Sequence, residues 1–99
     1  MKYNYIYEPV ALKEYKEAVE WYEERSETAA INFVNEVNEK IKSICTFPLR
    51  YRNTYKYFRE TYLKKYPFYI VYFVDESKNI VVISSIYHHK RNPKKKYEK

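Results

Sequence analysis

The sequence predicts an α+β fold in which a helical hairpin packs on one face of an antiparallel sheet, in the order β-α-α-β-β-β. Two long segments in the first half carry apolar side chains at helical spacing. Three apolar and β-branched segments follow in the second half, separated by short polar stretches. A chain of 99 residues has the size of one domain, so we expect a single domain over residues 1–99, with a basic tail at 90–99.

The first predicted strand and helix occupy the N-terminal quarter of the chain. Residues 3–7 are aromatic and β-branched, which favours a strand. Pro9 suits a first helical turn, and the helix is expected from about Val10 to Arg25. Its apolar stripe contains Ala11, Tyr15, Ala18 and Tyr22, flanked by Leu12, Val19 and Trp21. We therefore expect both Trp21 and Tyr22 in the core.

A second helix is predicted from about Glu27 to Cys45. Ser26 and Thr28 are both suitable N-cap residues, and Pro48 prevents continuation of the helix. The stripe that it buries consists of Ala30, Phe33, Val34, Val37, Ile41, Ile44 and Cys45. Because Cys45 is the only cysteine, it forms no intramolecular disulfide, and its apolar position favours inert packing.

Three consecutive strands are predicted in the second half, at Tyr57–Leu63, Pro67–Val74 and Ile80–Tyr87. Residues 46–56 are predicted to be a loop rich in basic and aromatic side chains, and residues 75–79 suit a hairpin loop. The chain has no glycine, so its tight turns must use Asn, Asp, Ser and Pro or avoid positive φ.

Charge divides the chain in two. Residues 1–49 carry six Lys/Arg and nine Asp/Glu, whereas residues 50–99 carry thirteen and four, so the halves have net charges of −3 and +9. The second half therefore favours a polyanion or an acidic partner, unless lysine is simply the common surface residue. The sequence shows no signal peptide, no membrane span and no metal-ligand spacing. We expect a cytoplasmic protein without a metal or cofactor.

Several motifs together resemble toxins of bacterial type II toxin–antitoxin modules, in the RelE/ParE superfamily. They are Ala18-Val19-Glu20-Trp21-Tyr22-Glu23, Phe33 with Ile41, Pro48-Leu49-Arg50-Tyr51, Phe58-Arg59-Glu60, Tyr66-Pro67-Phe68-Tyr69-Ile70-Val71-Tyr72, and Ile86-Tyr87-His88-His89-Lys90-Arg91-Asn92-Pro93. Each motif is unspecific alone, but their order and spacing cover about residues 3–97. The resemblance implies the same RelE/ParE-like fold as the one predicted above.

The resemblance also implies a cognate acidic antitoxin that wraps and neutralises the toxin, in a toxin–antitoxin hetero-oligomer. The resemblance does not decide between two targets. Ribonuclease-type members cut messenger RNA on the ribosome without metal, whereas gyrase-directed members poison a topoisomerase. Trp21-Tyr22-Glu23, Arg59-Glu60 and Pro67-Phe68 resemble the ParE-like branch, so a gyrase-type target is favoured. A module that binds protein or nucleic acid without toxicity is the further alternative.

If the chain is a ribonuclease, the candidate catalytic residues are Arg59, His88, His89, Arg91 and Tyr97. Arginine would stabilise the pentavalent phosphate, and histidine has a suitable ordinary pKa for proton transfer. Glu60 is a further proton-transfer candidate. Neighbouring strand residues face opposite ways, so only one of the two histidines is expected in any site. Ribonuclease-type relatives place an arginine where this chain has Tyr69, which argues against the nuclease.

A partner-binding set is predicted from the basic residues among aromatic ones. It comprises Arg50, Tyr51, Arg52, Lys64 and Lys65. Together with Tyr55, Tyr57 and Tyr62, these residues suit stacked RNA bases or an amphipathic acidic antitoxin segment equally well. For Arg59 a purely structural alternative is an ion pair with Glu20 or Glu23 on the first helix.

Overall fold

The computed structural model of the protein describes residues 2–90, which form two helices and five strands. The elements are β1 (Asn4–Tyr7), α1 (Pro9–Glu23), α2 (Glu27–Thr46), a 3-10 turn (Pro48–Arg50), β2 (Arg52–Tyr55), β3 (Phe58–Tyr62), β4 (Phe68–Asp75) and β5 (Ile80–His88). The predicted α+β class is confirmed, and so is the packing of the helices on the sheet.

The sheet differs from the prediction in two details. Its strand order is β1-β5-β4-β3-β2, and β1 pairs with β5 in parallel, so the sheet is mixed rather than purely antiparallel. Residues 46–56 are not one loop, because they contain the 3-10 turn and the edge strand β2, which pairs with β3. Periodicity could not reveal β2, since its four residues are mostly exposed and carry no apolar alternation.

Helix α1 covers the part of β5 that lies beyond the short strand β1. The Glu8 backbone N–H donates to the Ile83 carbonyl at 2.9 Å. Further along α1, Glu14 Oε1 accepts from the Ser85 hydroxyl at 2.8 Å and from the Ile86 N–H at 3.0 Å. These bonds satisfy the edge of β5 that β1 leaves unpaired.

The residues predicted to begin the two helices do so in the structure. Pro9 lies in the first turn of α1, and the Ser26 hydroxyl accepts from the Ala29 N–H at 3.1 Å as the cap of α2. Without glycine, two turns place other residues at positive φ. Asn79 has φ 54°, and Lys56 has φ 51°. Asparagine tolerates this conformation well, whereas the Lys56 turn is held by Asn53 Nδ2, which donates to the Lys56 carbonyl at 2.8 Å.

The main core lies between the helical hairpin and the sheet, with Phe33 of α2 fully buried at its centre. Cys45 is fully buried as predicted, and burial raises the pKa of its thiol.

The expectation that Trp21 is a core residue is wrong, because its side chain is 50% exposed. Trp21 lies at the border of the apolar stripe, where Arg25 stacks over its ring at 3.7 Å. Within residues 2–90, no helix is long and apolar enough to cross a membrane.

A hydrogen bond from Tyr72 connects the segment after α2 to the centre of the sheet. The Tyr72 side chain is fully buried, and its hydroxyl donates to the Pro48 carbonyl. Burial raises the pKa of Tyr72, so the hydroxyl remains a donor. We expect Tyr72→Phe to lower the free energy of unfolding by about 1–3 kcal/mol, because it leaves a buried carbonyl without its donor. Urea unfolding measures this, and a loss below about 0.5 kcal/mol would contradict the stated role of the bond.

Candidate functional site

The sheet face opposite the helices carries a row of three tyrosines. Tyr62 on β3 is paired with Tyr69 on β4, which is paired with Tyr87 on β5. The ring centroids of Tyr62 and Tyr69 are 6.2 Å apart, and those of Tyr69 and Tyr87 are 5.2 Å apart in a stacked arrangement. Exposure rises along the row from 6% at Tyr87 to 61% at Tyr62. These three residues, hereafter the tyrosine row, present an aromatic surface that is increasingly open towards β3.

A carboxylate lies next to the tyrosine row. Glu60 is paired with Arg52 on one side and Val71 on the other, and its side chain is only 8% exposed. The Tyr87 hydroxyl donates to Glu60 Oε2 at 3.1 Å. This hydrogen bond offsets part of the cost of burying the carboxylate. A nearly buried carboxylate therefore lies beside the aromatic surface of the tyrosine row.

The tyrosine row, Glu60 and Thr61 line a groove of about 490 Å³. Arg50, Tyr51, Arg52 and His89 complete its lining, and the two arginines and the histidine are exposed. Three members of the predicted partner-binding set therefore meet in this groove, hereafter the sheet groove. Positive charge surrounds an aromatic surface there, which suits a ligand or partner with both apolar and acidic groups.

Arg59 does not line the sheet groove. It is paired with Tyr72, on the helix side of the sheet, and its Nη1 donates to the Leu49 carbonyl at 3.2 Å and to the Tyr51 carbonyl at 2.7 Å. The alternative of an ion pair with Glu20 or Glu23 is wrong, because these two carbonyls are its partners instead. Arg59 therefore supports the segment that carries Arg50 and Tyr51.

The two histidines lie at the end of β5 and face different grooves. The His89 side chain lines the sheet groove, and its Nδ1 is 3.3 Å from the Pro67 carbonyl. The His88 ring is 5.3 Å from that of Phe68 and lines an apolar groove with Trp21. The expectation that only one of the histidines lies in a given site agrees with this placement, although their ring centroids are 4.9 Å apart in a stacked arrangement.

The remaining predicted residues are not in the sheet groove. Lys64 and Lys65 follow β3, and their side chains line a separate groove against α2. Their backbone N–H groups donate to Glu36 Oε2. Arg91 and Tyr97 lie outside the described residues. Within residues 2–90, no three His, Cys, Asp or Glu side chains lie close enough together to hold a metal ion.

Sequence reasoning missed Tyr87 and Thr61 as groove residues. The signal for Tyr87 was present, because a hairpin between the last two strands places Tyr87 opposite Tyr69 once its register is known. A bulge between Val71 and Tyr72 shifts that register, so counting back from the hairpin loop alone gives the wrong partner.

A family model of the ParE toxin of the type II toxin–antitoxin system parDE matches residues 5–93. The chain belongs to the ParE toxin family. The predicted membership of the RelE/ParE superfamily is thereby confirmed, and this ParE-family protein is a toxin of a type II toxin–antitoxin system. No curated protein sequence matches the chain.

Solved structures of E. coli RelE toxin share the fold of this ParE-family toxin. The isolated RelE toxin superposes with a TM-score of 0.63 at 17% identity, over 94% of this chain and 90% of that chain. A RelE variant with two arginines replaced by alanine, in the free state, gives a TM-score of 0.64 at 17% identity, over 91% of this chain and 86% of that chain. At this identity the likeness establishes the fold alone.

Proposed function

We propose that this ParE-family toxin inhibits growth in the cytoplasm by acting on DNA gyrase, and that it does so without cleaving RNA. The observation that carries the proposal is the chemistry of the sheet groove. Its aromatic surface is formed by the tyrosine row, and the carboxylate beside that row is Glu60. Such a surface suits contact with another protein, since tyrosine is enriched where interfaces derive most of their binding energy. The match to a ParE family model supports the same branch.

Metal-free RNA cleavage makes different demands on the groove. It requires cations that stabilise a pentavalent phosphate, together with a base and an acid. Tyr69 stands where the resemblance to ribonuclease-type toxins implies an arginine, so the sheet groove lacks a cationic phosphate ligand at this position. Arg59, the strand arginine expected to bind phosphate, donates to backbone carbonyls on the other face.

An acidic antitoxin is the partner that the charges favour. The exposed guanidinium groups of Arg50 and Arg52 flank the sheet groove, and Lys64 and Lys65 line the groove beside it. An acidic segment with apolar side chains would complement both the charge and the aromatic surface. Toxin and antitoxin would then form the hetero-oligomer that neutralises toxicity.

Ribosome-dependent cleavage of messenger RNA is the second candidate, and one observation favours it. His89 lines the same groove as Arg50 and Arg52, so a proton-transfer group and two phosphate ligands share one surface. Arg91 and Tyr97 remain predicted catalytic residues in this alternative.

Induced expression distinguishes the two targets. We expect an SOS response, and we expect purified protein to make gyrase accumulate cleaved, protein-linked plasmid DNA. Tyr62→Ala should weaken this effect by roughly ten-fold or more, as removal of an interface tyrosine does when it is a hot spot. Ile31→Ala is the matched control, since this exposed apolar side chain lies on α2 away from the groove. Ribosome-dependent cuts in primer extension, without cleaved plasmid, would refute the gyrase proposal.

A further inference from the structure

Four side chains converge where the end of α2 meets the 3-10 turn, on the helix side of the sheet groove. Arg50 Nη2 donates to Ser43 Oγ at 3.1 Å and to the Tyr51 hydroxyl at 2.9 Å, and the two hydroxyls are 2.7 Å apart. Lys40 Nζ lies 5.7 Å from the centre of the Tyr51 ring. Two cations and two hydroxyls therefore share one small surface.

Hydrogen bonds from side chains of the sheet hold the backbone segment that carries Arg50 and Tyr51. The Pro48 carbonyl accepts from the buried Tyr72 hydroxyl, and the Leu49 and Tyr51 carbonyls accept from Arg59. Three of the four carbonyls from Pro48 to Tyr51 are thus bonded to side chains of the sheet. This holds the backbone of Arg50 in place, so its guanidinium needs little reorganisation to bind a ligand.

The cluster keeps donors that the described residues do not use. Only Nη2 of Arg50 has acceptors within residues 2–90, which leaves its Nη1 and Nε hydrogens for a ligand. Lys40 has no carboxylate within 4.0 Å in the same range. Glu36 and Glu39 line a groove together with Lys40 and Ser43. Glu36 accepts there from the N–H groups of Lys64 and Lys65.

The electrostatics of Tyr51 agree with an excess of positive charge here. Burial raises the pKa of its hydroxyl, but its hydrogen bonds with Ser43 and Arg50 and the charges of Lys40 and Arg50 outweigh burial, so the pKa lies below its ordinary value. A surface that favours a phenolate also favours an external anion.

We propose that Lys40, Ser43, Arg50 and Tyr51 form a binding site for a phosphate group. Arginine offers a planar fork that matches two phosphate oxygens, lysine adds a point charge, and the hydroxyls rotate to donate to the remaining oxygens. The phosphate would come from a nucleic-acid backbone or from a small phosphorylated ligand. The proposal goes beyond action on gyrase, and it is tested without gyrase, so each fails independently of the other.

NMR titration of the full chain with inorganic phosphate tests the site directly. We expect saturable shifts of the Arg50 Nε–H signal and of the Ser43 and Tyr51 amide signals, and no such shifts with chloride at matched ionic strength. Lys40→Ala and Arg50→Lys should each weaken the response, because the first removes a charge and the second keeps the charge but removes the fork. Shifts that chloride reproduces, or that both variants retain, would overturn the proposal.

Fluorescence anisotropy with a labelled DNA duplex distinguishes the source of the phosphate. If it is a backbone phosphate, Lys40→Ala should weaken binding by roughly ten-fold and lower the salt slope by about 0.9. Lys42→Ala removes the same charge from an exposed position two residues further along α2, and should change affinity by no more than about two-fold. Equal losses, together with phosphate shifts at the cluster, would retain the site and assign it to a small phosphorylated ligand.

Discussion

Phe33→Ala is expected to lower the free energy of unfolding by about 3–5 kcal/mol, the range for phenylalanine truncation in a packed core. Phe33 is fully buried and contacts four aromatic rings from different elements. Its ring centroid lies 6.1, 5.2, 5.3 and 5.1 Å from those of Tyr15, Tyr22, Tyr66 and Phe68, respectively. These rings come from α1, from β4 and from the turn before β4, so the surroundings cannot collapse into the cavity without moving several elements.

The matched control is Ile31→Ala, two residues earlier on the same helix. Ile31 is 53% exposed, so its truncation should change stability by no more than about 0.5 kcal/mol. Urea denaturation followed by circular dichroism measures both variants at a fixed protein concentration. Equal losses for the two variants would show that α2 is not anchored through Phe33.

The helices were predictable because their apolar spacing reflects the face that they bury. Phe33, Val37, Ile41 and Ile44 recur at helical intervals and are all buried. Periodicity is less decisive at the border of a stripe. Trp21 and Tyr22 are adjacent, yet Trp21 is exposed while Tyr22 packs against the core. A helical rotation of about 100° separates them, and the sequence does not specify where the sheet surface ends.

The sheet was less predictable because strand pairing is a long-range property. Nothing local distinguishes parallel from antiparallel pairing for a strand as short as β1.

The sequence also did not show on which face of the sheet the Arg59 side chain lies. Apolar side chains are buried on both sides of the sheet here, Phe58 in β3 on one side and Leu63, directly after β3, on the other. Alternation alone therefore did not show which face the helices cover. Residues 50–52 were predicted as partner-binding, and they line the sheet groove because the 3-10 turn leads directly into β2.

Arg59→Ala is expected to weaken function although Arg59 lies outside the sheet groove. Its guanidinium is the donor to two backbone carbonyls, those of Leu49 and Tyr51. Removing it should lower the free energy of unfolding by about 1.5–3 kcal/mol, as for hydrogen bonds to a charged group. The segment that carries Arg50 would also lose its support, so we expect growth inhibition and phosphate binding to weaken together. Urea unfolding, growth after induction and NMR titration measure the three effects.

The control for charge is Arg52→Ala, on the edge strand next to Arg59. Arg52 is exposed, and within residues 2–90 its side chain makes no hydrogen bond. Its truncation should change stability by no more than about 0.5 kcal/mol while removing the same charge. If Arg59 acts only through its charge, both variants would reduce phosphate binding equally and neither would unfold more easily. A stable Arg59→Ala protein with full toxicity would refute the support role. The segment would then keep its position although the carbonyls of Leu49 and Tyr51 had lost their donor.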